Sequence, residues 1–358
     1  MRKTLFLFRG ALSVFCCLFI ALPATKAWAL IENRQQARAE LQSRIHEYQQ
    51  TLKTHPDDFK TRAMLARELE ALGKVTDSAT QAKTHTREAV DIAFVGFKTL
   101  AAETGTRSSS EVWKRTVTAL GMTVRSLLAL DVSDPDDLHL AEKVLAELRA
   151  APKHLAPSCN LARGNVASSL ALLTPDLQKR TLYFAEAKEA WRHAGATPLL
   201  AESLAWEAIM LPDKKQKRDY YAEADQILVL REKYASGETV RRSLKRQILA
   251  LRLFQAYDSE NVDSRKLLLD EAARLNEEAN CSLADKDDTR WYSCRFTEAE
   301  MAAIRGETST CIQLLKEMLK VDPPLKEKIG ISLLRRPTFE RLRQNEEFTS
   351  FLLTLTPN

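Results

Sequence analysis

One stretch of the sequence occurs twice, as PDLQKRTLYFAEA at residues 175–187 and as PDKKQKRDYYAEA at residues 212–224. The copies lie 37 residues apart and share Pro, Asp, Tyr, Ala, Glu and Ala at equivalent positions. A weaker third copy ends at Ala272, in the run LLDEA. Small alanines at such positions let a second helix approach closely. A period of roughly 35–50 residues with two helices per unit is typical of an α-solenoid.

The rest of the chain also has helical periodicity, with apolar residues every three or four positions and no sustained two-residue alternation. We therefore expect an all-α protein of about 13 or 14 helices without a sheet. Pro-Asp and related pairs predict helix starts, and short connections predict antiparallel neighbours. Four glycines are predicted to mark helix ends: Gly73, Gly195, Gly237 and Gly306.

Two segments resemble tetratricopeptide repeats (TPRs). Residues 56–82 contain Leu65-Ala66, Leu69 and Leu72-Gly73, and residues 295–323 contain Ala299, Ala302, Gly306, Cys311, Leu315, Leu319 and Pro323. The following PTFERLR at residues 337–343, with Phe348, is similar to the segment that ends many bacterial TPR arrays. Phe339, Leu342 and Phe348 would cover the core of the last repeat. The central units are longer than the 34 residues of the family, and most of its aromatic signature is absent.

The resemblance implies a right-handed α-solenoid of about six antiparallel helix pairs. It would occupy residues 30–358 as a single domain, with an N-terminal helix at residues 30–56 and capping helices at residues 325–358. It also implies a concave groove for a peptide or protein partner, and it does not imply an enzyme.

Residues 1–29 have the pattern of a signal peptide. Arg2, Lys3 and Arg9 precede an apolar run at residues 10–22, which is too short to span a bilayer, and Ala27-Trp28-Ala29 offers a cleavage site. The sequence therefore predicts an exported protein, periplasmic or secreted. The alternative is an uncleaved segment that anchors the chain to the inner membrane.

The signal peptide carries most of the positive charge. The chain has 53 basic and 48 acidic residues, and residues 1–29 hold four of the basic ones and none of the acidic ones. The mature chain therefore has a net charge of about +1, which gives no reason to expect nucleic acid as a partner. No second long apolar run occurs, so the sequence predicts no membrane span after signal cleavage.

Four cysteines remain in the mature chain. Cys281 and Cys294 would flank a turn between two helices, so a disulfide between them is one prediction in an oxidising compartment. Helical rise would place them about 9 Å out of level if the turn lies near Ala284. Buried reduced cysteines in helix interfaces are the alternative.

No recognisable catalytic motif occurs, and the six histidines lack the i, i+4 spacing of a helical zinc pair. The acidic cluster at residues 131–137 lacks the spacing of a calcium-binding loop, and helix N-capping explains it better. We therefore expect no catalytic residue, no metal site, no cofactor and no enzymatic activity.

A basic stripe is the sharpest local charge feature. Arg241, Lys245 and Arg252 fall within about 40° of one another on a helix, next to a face that we expect to be buried. If this helix lines a groove, the stripe could hold an acidic peptide or an anionic envelope polymer; the alternative is a solvated face with acidic neighbours. The face expected to be buried comprises Val240, Leu244, Ile248 and Leu251.

These observations favour a scaffold of the bacterial envelope that binds a peptide or protein partner through a TPR-like groove. One alternative is a component of an envelope transport system that binds a small molecule or a lipid, which would require an apolar tunnel. A third is an enzyme with a dispersed active site, which would require two carboxylates in a deep cleft.

Overall fold

The computed structural model describes residues 24–102, 110–130, 134–151, 156–195, 197–281 and 288–355. All regular secondary structure in these ranges is helical, which confirms the predicted all-α class. The predicted signal peptide lies mostly outside these ranges, because the first described helix begins at Ala24. Among the described residues, no helix is both long enough and apolar enough to span a bilayer.

The described residues form fifteen α-helices and three short 3-10 helices. The α-helices are α1 (Ala24–Thr54), α2 (Phe59–Val75), α3 (Ala79–Ala102), α4 (Ser110–Leu130), α5 (Pro135–Arg149), α6 (Ala156–Leu173), α7 (Leu177–Ala194), α8 (Thr197–Met210), α9 (Lys214–Lys233), α10 (Glu238–Asp258), α11 (Val262–Ala279), α12 (Asp288–Arg305), α13 (Thr308–Val321), α14 (Lys326–Arg335) and α15 (Glu346–Leu355). The 3-10 helices are Pro323–Leu325, Pro337–Phe339 and Leu342–Gln344.

The helices pack as sequential pairs and divide into two compact units. One unit comprises residues 31–203, and the other is built mainly from residues 204–358. In the first unit α2 packs on α3, α6 packs on α7, and α2, α4 and α6 also contact one another in a row. In the second unit α10 packs on both α9 and α11, and α12 packs on α13.

Glycines allow the helices of the first unit to approach closely. A Cβ at Gly121 of α4 would lie 2.6 Å from the Cα of Ala162 in α6, and a Cβ at Gly164 of α6 would lie 2.7 Å from Cε2 of Trp191 in α7. Both distances are far shorter than carbon–carbon contact allows. Helix α6 can therefore lie between α4 and α7, buried on all sides for most of its length.

Gly73 has the same role, and its prediction as a helix end is wrong. It lies inside α2, where a Cβ would be 2.9 Å from the carbonyl oxygen of Ala82 in α3. Gly195 and Gly306 do follow helix ends, with φ values of 64° and 81°. Gly237 lies between α9 and α10 at a φ of 91°, where it is the N-cap of α10.

Ion pairs in the first unit join α3 to the start of α5, and α5 to α7, which are the second helices of successive helix pairs. Lys83 of α3 contacts Asp134 at 2.5 Å and Asp137 at 3.1 Å, and Arg149 of α5 pairs with Glu186 of α7. Asp134 also caps α5 by accepting a hydrogen bond from the amide of Asp136 at 2.8 Å. The described part of the acidic cluster thus serves as a cap and as ion-pair partners.

The repeated sequence corresponds to a repeated helix start. Asp176, Asp213 and Asn261 are the N-caps of α7, α9 and α11, and each accepts a hydrogen bond from the amide three residues later. The residue four positions after each cap is basic and donates to a backbone carbonyl that precedes the helix. We call this hydrogen bond from the basic side chain to the preceding carbonyl an N-terminal clasp. It joins Arg180 to Thr174, Lys217 to Ile209 and Arg265 to Ser259. The same clasp joins Arg62 to Pro56 before α2 and Arg241 to Ala235 before α10.

The C-terminal segment packs against α12 and α13 of the second unit. Phe339, Leu342 and Phe348 are buried in one cluster with residues of α12 and α13. Glu300 of α12 is almost completely buried and accepts hydrogen bonds from Arg336 and from Thr338, the latter at 2.7 Å. The buried carboxylate therefore ties α12 to the segment that follows α14.

Candidate interaction surface

The three residues of the predicted basic stripe all lie on α10, but they face different partners. Arg252 bridges α9 and α11, contacting Asp225 at 2.7 Å and Glu271 at 2.8 Å, and its side chain is only 12% exposed. Burial disfavours its charge, yet the hydrogen bonds with both carboxylates outweigh burial and raise the pKa of the guanidinium. Arg252 therefore serves as a cross-link among three helices.

Lys245 is also neutralised within the unit. Its Nζ lies 2.6 Å from Glu278 of α11, which also accepts a hydrogen bond from Arg274 at 2.5 Å. The hydrogen bond from Lys245 lowers the pKa of Glu278, so the carboxylate stays charged. Because Lys245 and Arg252 both have carboxylate partners, Arg241 is the member of the stripe that remains at the surface.

Arg241 lies at the turn between α9 and α10, where its Nε donates to the carbonyl of Ala235 at 3.2 Å. Four large apolar side chains are exposed around this turn. Their exposed fractions are 48% for Val229, 59% for Leu230, 72% for Tyr234 and 50% for Val240. We call these four residues, together with Arg231, Lys233 and Arg241, the hairpin patch.

The prediction that Val240 belongs to the core is wrong. Leu244, Ile248 and Leu251 are buried as expected, but Val240 is in the first turn of α10, beyond the reach of the core. The buried side chains of α10 therefore begin one turn later than the sequence pattern indicates.

The hairpin patch arises because α9 has two apolar stripes. Tyr221, Ala224 and Leu228 form the buried stripe. Leu230 lies about 200° from Leu228 around the helix, and Tyr234 follows it four residues later. This second stripe points away from the buried one and is exposed. The sequence shows the second stripe, but helical periodicity alone does not tell which stripe another helix covers.

The hairpin patch is positively charged. Arg231, Lys233 and Arg241 are exposed and have no ion-pair partner among the described residues. Arg242 pairs with Glu238, so that pair adds no net charge, and Glu232 is the remaining acid in this stretch. The Nζ of Lys233 lies 5.6 Å from the ring centroid of Tyr234, which places a cation over an exposed aromatic ring. Exposed apolar surface and excess positive charge thus coincide.

The cysteines among the described residues form one disulfide and two buried thiols. Cys281 and Cys294 are bonded, with their Cα atoms 5.1 Å apart. Cys281 lies beyond the end of α11, so the offset of about 9 Å expected from helical rise does not apply to it. Burial raises the pKa values of Cys159 and Cys311 to about 12, so neither is a reactive thiolate.

The sulfurs of Cys281 and Cys294 lie within 4.8 Å of a carboxylate oxygen of Glu298, a grouping that could hold a metal ion. Because the two sulfurs are bonded to each other, neither is a thiolate that could act as a ligand. In this oxidised state the grouping is therefore a structural cross-link beside a carboxylate.

Two hollows of the second unit differ in kind. One has a volume of about 10 Å³, room for a single water, and is lined both by polar groups, such as Asn280 and Glu300, and by apolar side chains, such as Leu249 and Phe296. The other is an open depression of about 390 Å³ between α13 and α15, lined mainly by charged and amide side chains. Neither is an apolar tunnel.

In comparisons with known proteins, no protein-family model matches the chain, and no curated protein matches it.

Proposed function

We propose that this chain is an interaction scaffold, built as a TPR-like α-solenoid, that acts outside the cytoplasm and recruits a protein or peptide partner. The observation that carries the proposal is the array of sequential helix pairs, in which α2, α4 and α6 contact one another in a row. An array of this kind presents a helical surface to a partner, and because α6 is buried, the exposed residues of α2 and α4 contribute that surface. We assign the partner to the exposed face of α2 and α4.

One further observation supports the proposed compartment, and another bears on where a partner binds. The bond between Cys281 and Cys294 is of the kind that persists in an oxidising compartment, as expected for an exported chain. The charged residues that the sequence offered as a site, Lys245 and Arg252, are used to join helices. Neither hollow described above favours the alternative of a small-molecule or lipid carrier.

The test is site-specific photo-crosslinking of the full chain in its native host. A photoreactive amino acid replaces Arg67 of α2 or Lys114 of α4, both of which are exposed. The matched control is Glu88, which is exposed on α3 in the other row. We expect a discrete protein adduct, the same in repeated experiments, from the first two positions and none from the control.

Failure takes two distinct forms. If no position gives a reproducible adduct, the chain does not recruit a protein under these conditions and the proposal is wrong. If Glu88 gives the adduct and the other two positions do not, a scaffold function survives but the assigned face is wrong. A fusion of alkaline phosphatase, which is active only after export, to the chain tests the compartment separately.

A further inference from the structure

We infer that the hairpin patch docks the protein on an anionic phospholipid surface. The inference starts from the concentration of exposed apolar area. Val229, Leu230, Tyr234 and Val240 fall within twelve consecutive residues, and each is about half exposed or more. Isolated exposed apolar residues are ordinary, but a contiguous group rimmed by polar residues marks an interaction surface.

The position of the group in the fold favours a flat partner. Val229 and Leu230 lie in the last turns of α9, Tyr234 directly follows α9, and Val240 lies in the first turn of α10. From Val229 to Arg241 nearly every residue is exposed, so this end of the hairpin is not enclosed by neighbouring helices of its unit. The apolar side chains therefore sit at a tip rather than in a groove that could enclose a peptide.

The chemistry of the tip matches a lipid headgroup region. Leu230 and Val240 can enter the boundary between headgroups and acyl chains, while tyrosine favours the interface because its ring is apolar and its hydroxyl is polar. Arg231, Lys233 and Arg241 surround them and pair with no carboxylate in the part of the chain that the structure describes, and long basic side chains keep their charged ends at headgroup level. Such a combination of apolar and basic residues is typical of interfacial membrane binding.

The charge of the tip is local. The mature chain as a whole is nearly neutral, so long-range attraction to an anionic surface is weak. The three free cations of the tip act only within about 10 Å at 0.1 M salt. Binding should therefore depend on the apolar contact and on nearby anionic lipid together, and each alone should be insufficient.

The test uses a fluorophore that reports insertion locally, because residues 1–29 could contribute to bulk binding. In the full chain carrying C16S and C17S, an environment-sensitive dye is attached to S236C in the hairpin turn. The matched control is Q178C, next to the exposed Leu177 at the start of α7. Both are titrated with vesicles of phosphatidylcholine containing 30% phosphatidylglycerol, and with vesicles of pure phosphatidylcholine.

We expect the dye at residue 236 to report an apolar environment with anionic vesicles only, and the dye at residue 178 to report none. R231Q together with K233Q should weaken partitioning about 25-fold, since each basic residue near an anionic surface contributes about fivefold. L230S together with Y234S should abolish the response. L177S with L182S should leave it unchanged, and circular dichroism should show the same helix content for all variants.

Several outcomes would overturn the inference. One is that the hairpin gives no response with anionic vesicles, or the same response with neutral ones. Another is that the response survives both pairs of patch substitutions, which would place the contact elsewhere. A protein adduct from a photoreactive residue at position 236, without a vesicle response, would identify the tip as a protein interface instead.

Discussion

The contact between Gly164 and Trp191 gives the sharpest prediction of stability. In Gly164→Ala the new methyl carbon would lie 2.7 Å from Cε2 of Trp191 and closer still to Nε1 and Cδ1. The indole ring is rigid and almost completely buried, so it has no free space to enter. Such overpacking costs about 3 kcal/mol, the upper end of the usual range, because the ring or the helix must move.

The same substitution also favours α6, because alanine is a better helix former than glycine by about 1 kcal/mol. The net loss should therefore be about 2 kcal/mol. A background of Trp191→Leu, whose flexible branch can move aside, separates the two effects. There the clash should disappear, and Gly164→Ala should be neutral or stabilising by up to about 1 kcal/mol.

The measurement is urea unfolding followed by circular dichroism at 222 nm for the four members of the double-mutant cycle. The expected coupling energy between the two positions is about 2–3 kcal/mol, well above the roughly 0.5 kcal/mol seen for independent sites. If Gly164→Ala has the same effect in both backgrounds, the close approach of α6 to α7 is not the reason for this glycine.

Three further predictions concern cross-links and charge. Removing the disulfide with C281S and C294S should cost about 3 kcal/mol for a loop of this length, and a reductant should destabilise the parent chain but not the variant. Arg336→Leu should cost about 3–5 kcal/mol by leaving the carboxylate of Glu300 buried and unpaired, whereas adding Glu300→Leu should restore most of that loss; failure of the second change to rescue would refute the pairing. Burial raises the pKa of Glu186, but its ion-pair partners Arg149 and Arg163 outweigh burial and lower the pKa from 4.5. The stabilisation by this carboxylate should therefore be present above about pH 4.5 and be lost as the pH falls through its lower folded-state pKa. In urea unfolding, the difference in free energy of unfolding between the parent and Glu186→Gln should narrow at acid pH. A difference that does not change with pH would argue against the ion pair.

Much of the helix order could be predicted because its signals are local. Pro-Asp pairs identify the caps at Asp176 and Asp213, since the cap and the amide that it satisfies are only three residues apart. The burial of Phe339 and Phe348 could be predicted from their spacing and resemblance to an end-of-array segment. These inferences need no knowledge of distant residues.

The errors arise where the outcome depends on residues far along the chain. Gly73 resembles a helix terminator until α3 is placed against it, because Thr86 and Ala82 of that helix lie too close for a side chain to fit. Arg252 resembles a free cation until Asp225 and Glu271 approach from two other helices. The candidate surface was missed for the same reason, since an apolar stripe on α9 becomes a patch only when no other helix covers it.

The clasped helix starts bear on how such a chain can change over evolutionary time. Asp176 and Asp213 are separated by 37 residues, whereas Asp213 and Asn261 are separated by 48. Each clasp closes within a few residues of its own cap, so it forms regardless of the distance to the next one. An insertion or deletion between two clasps therefore changes the length of a hairpin, but every helix keeps the residues that start it. Duplicating a whole unit would likewise copy that signal, so new hairpins can be added without redesigning their neighbours.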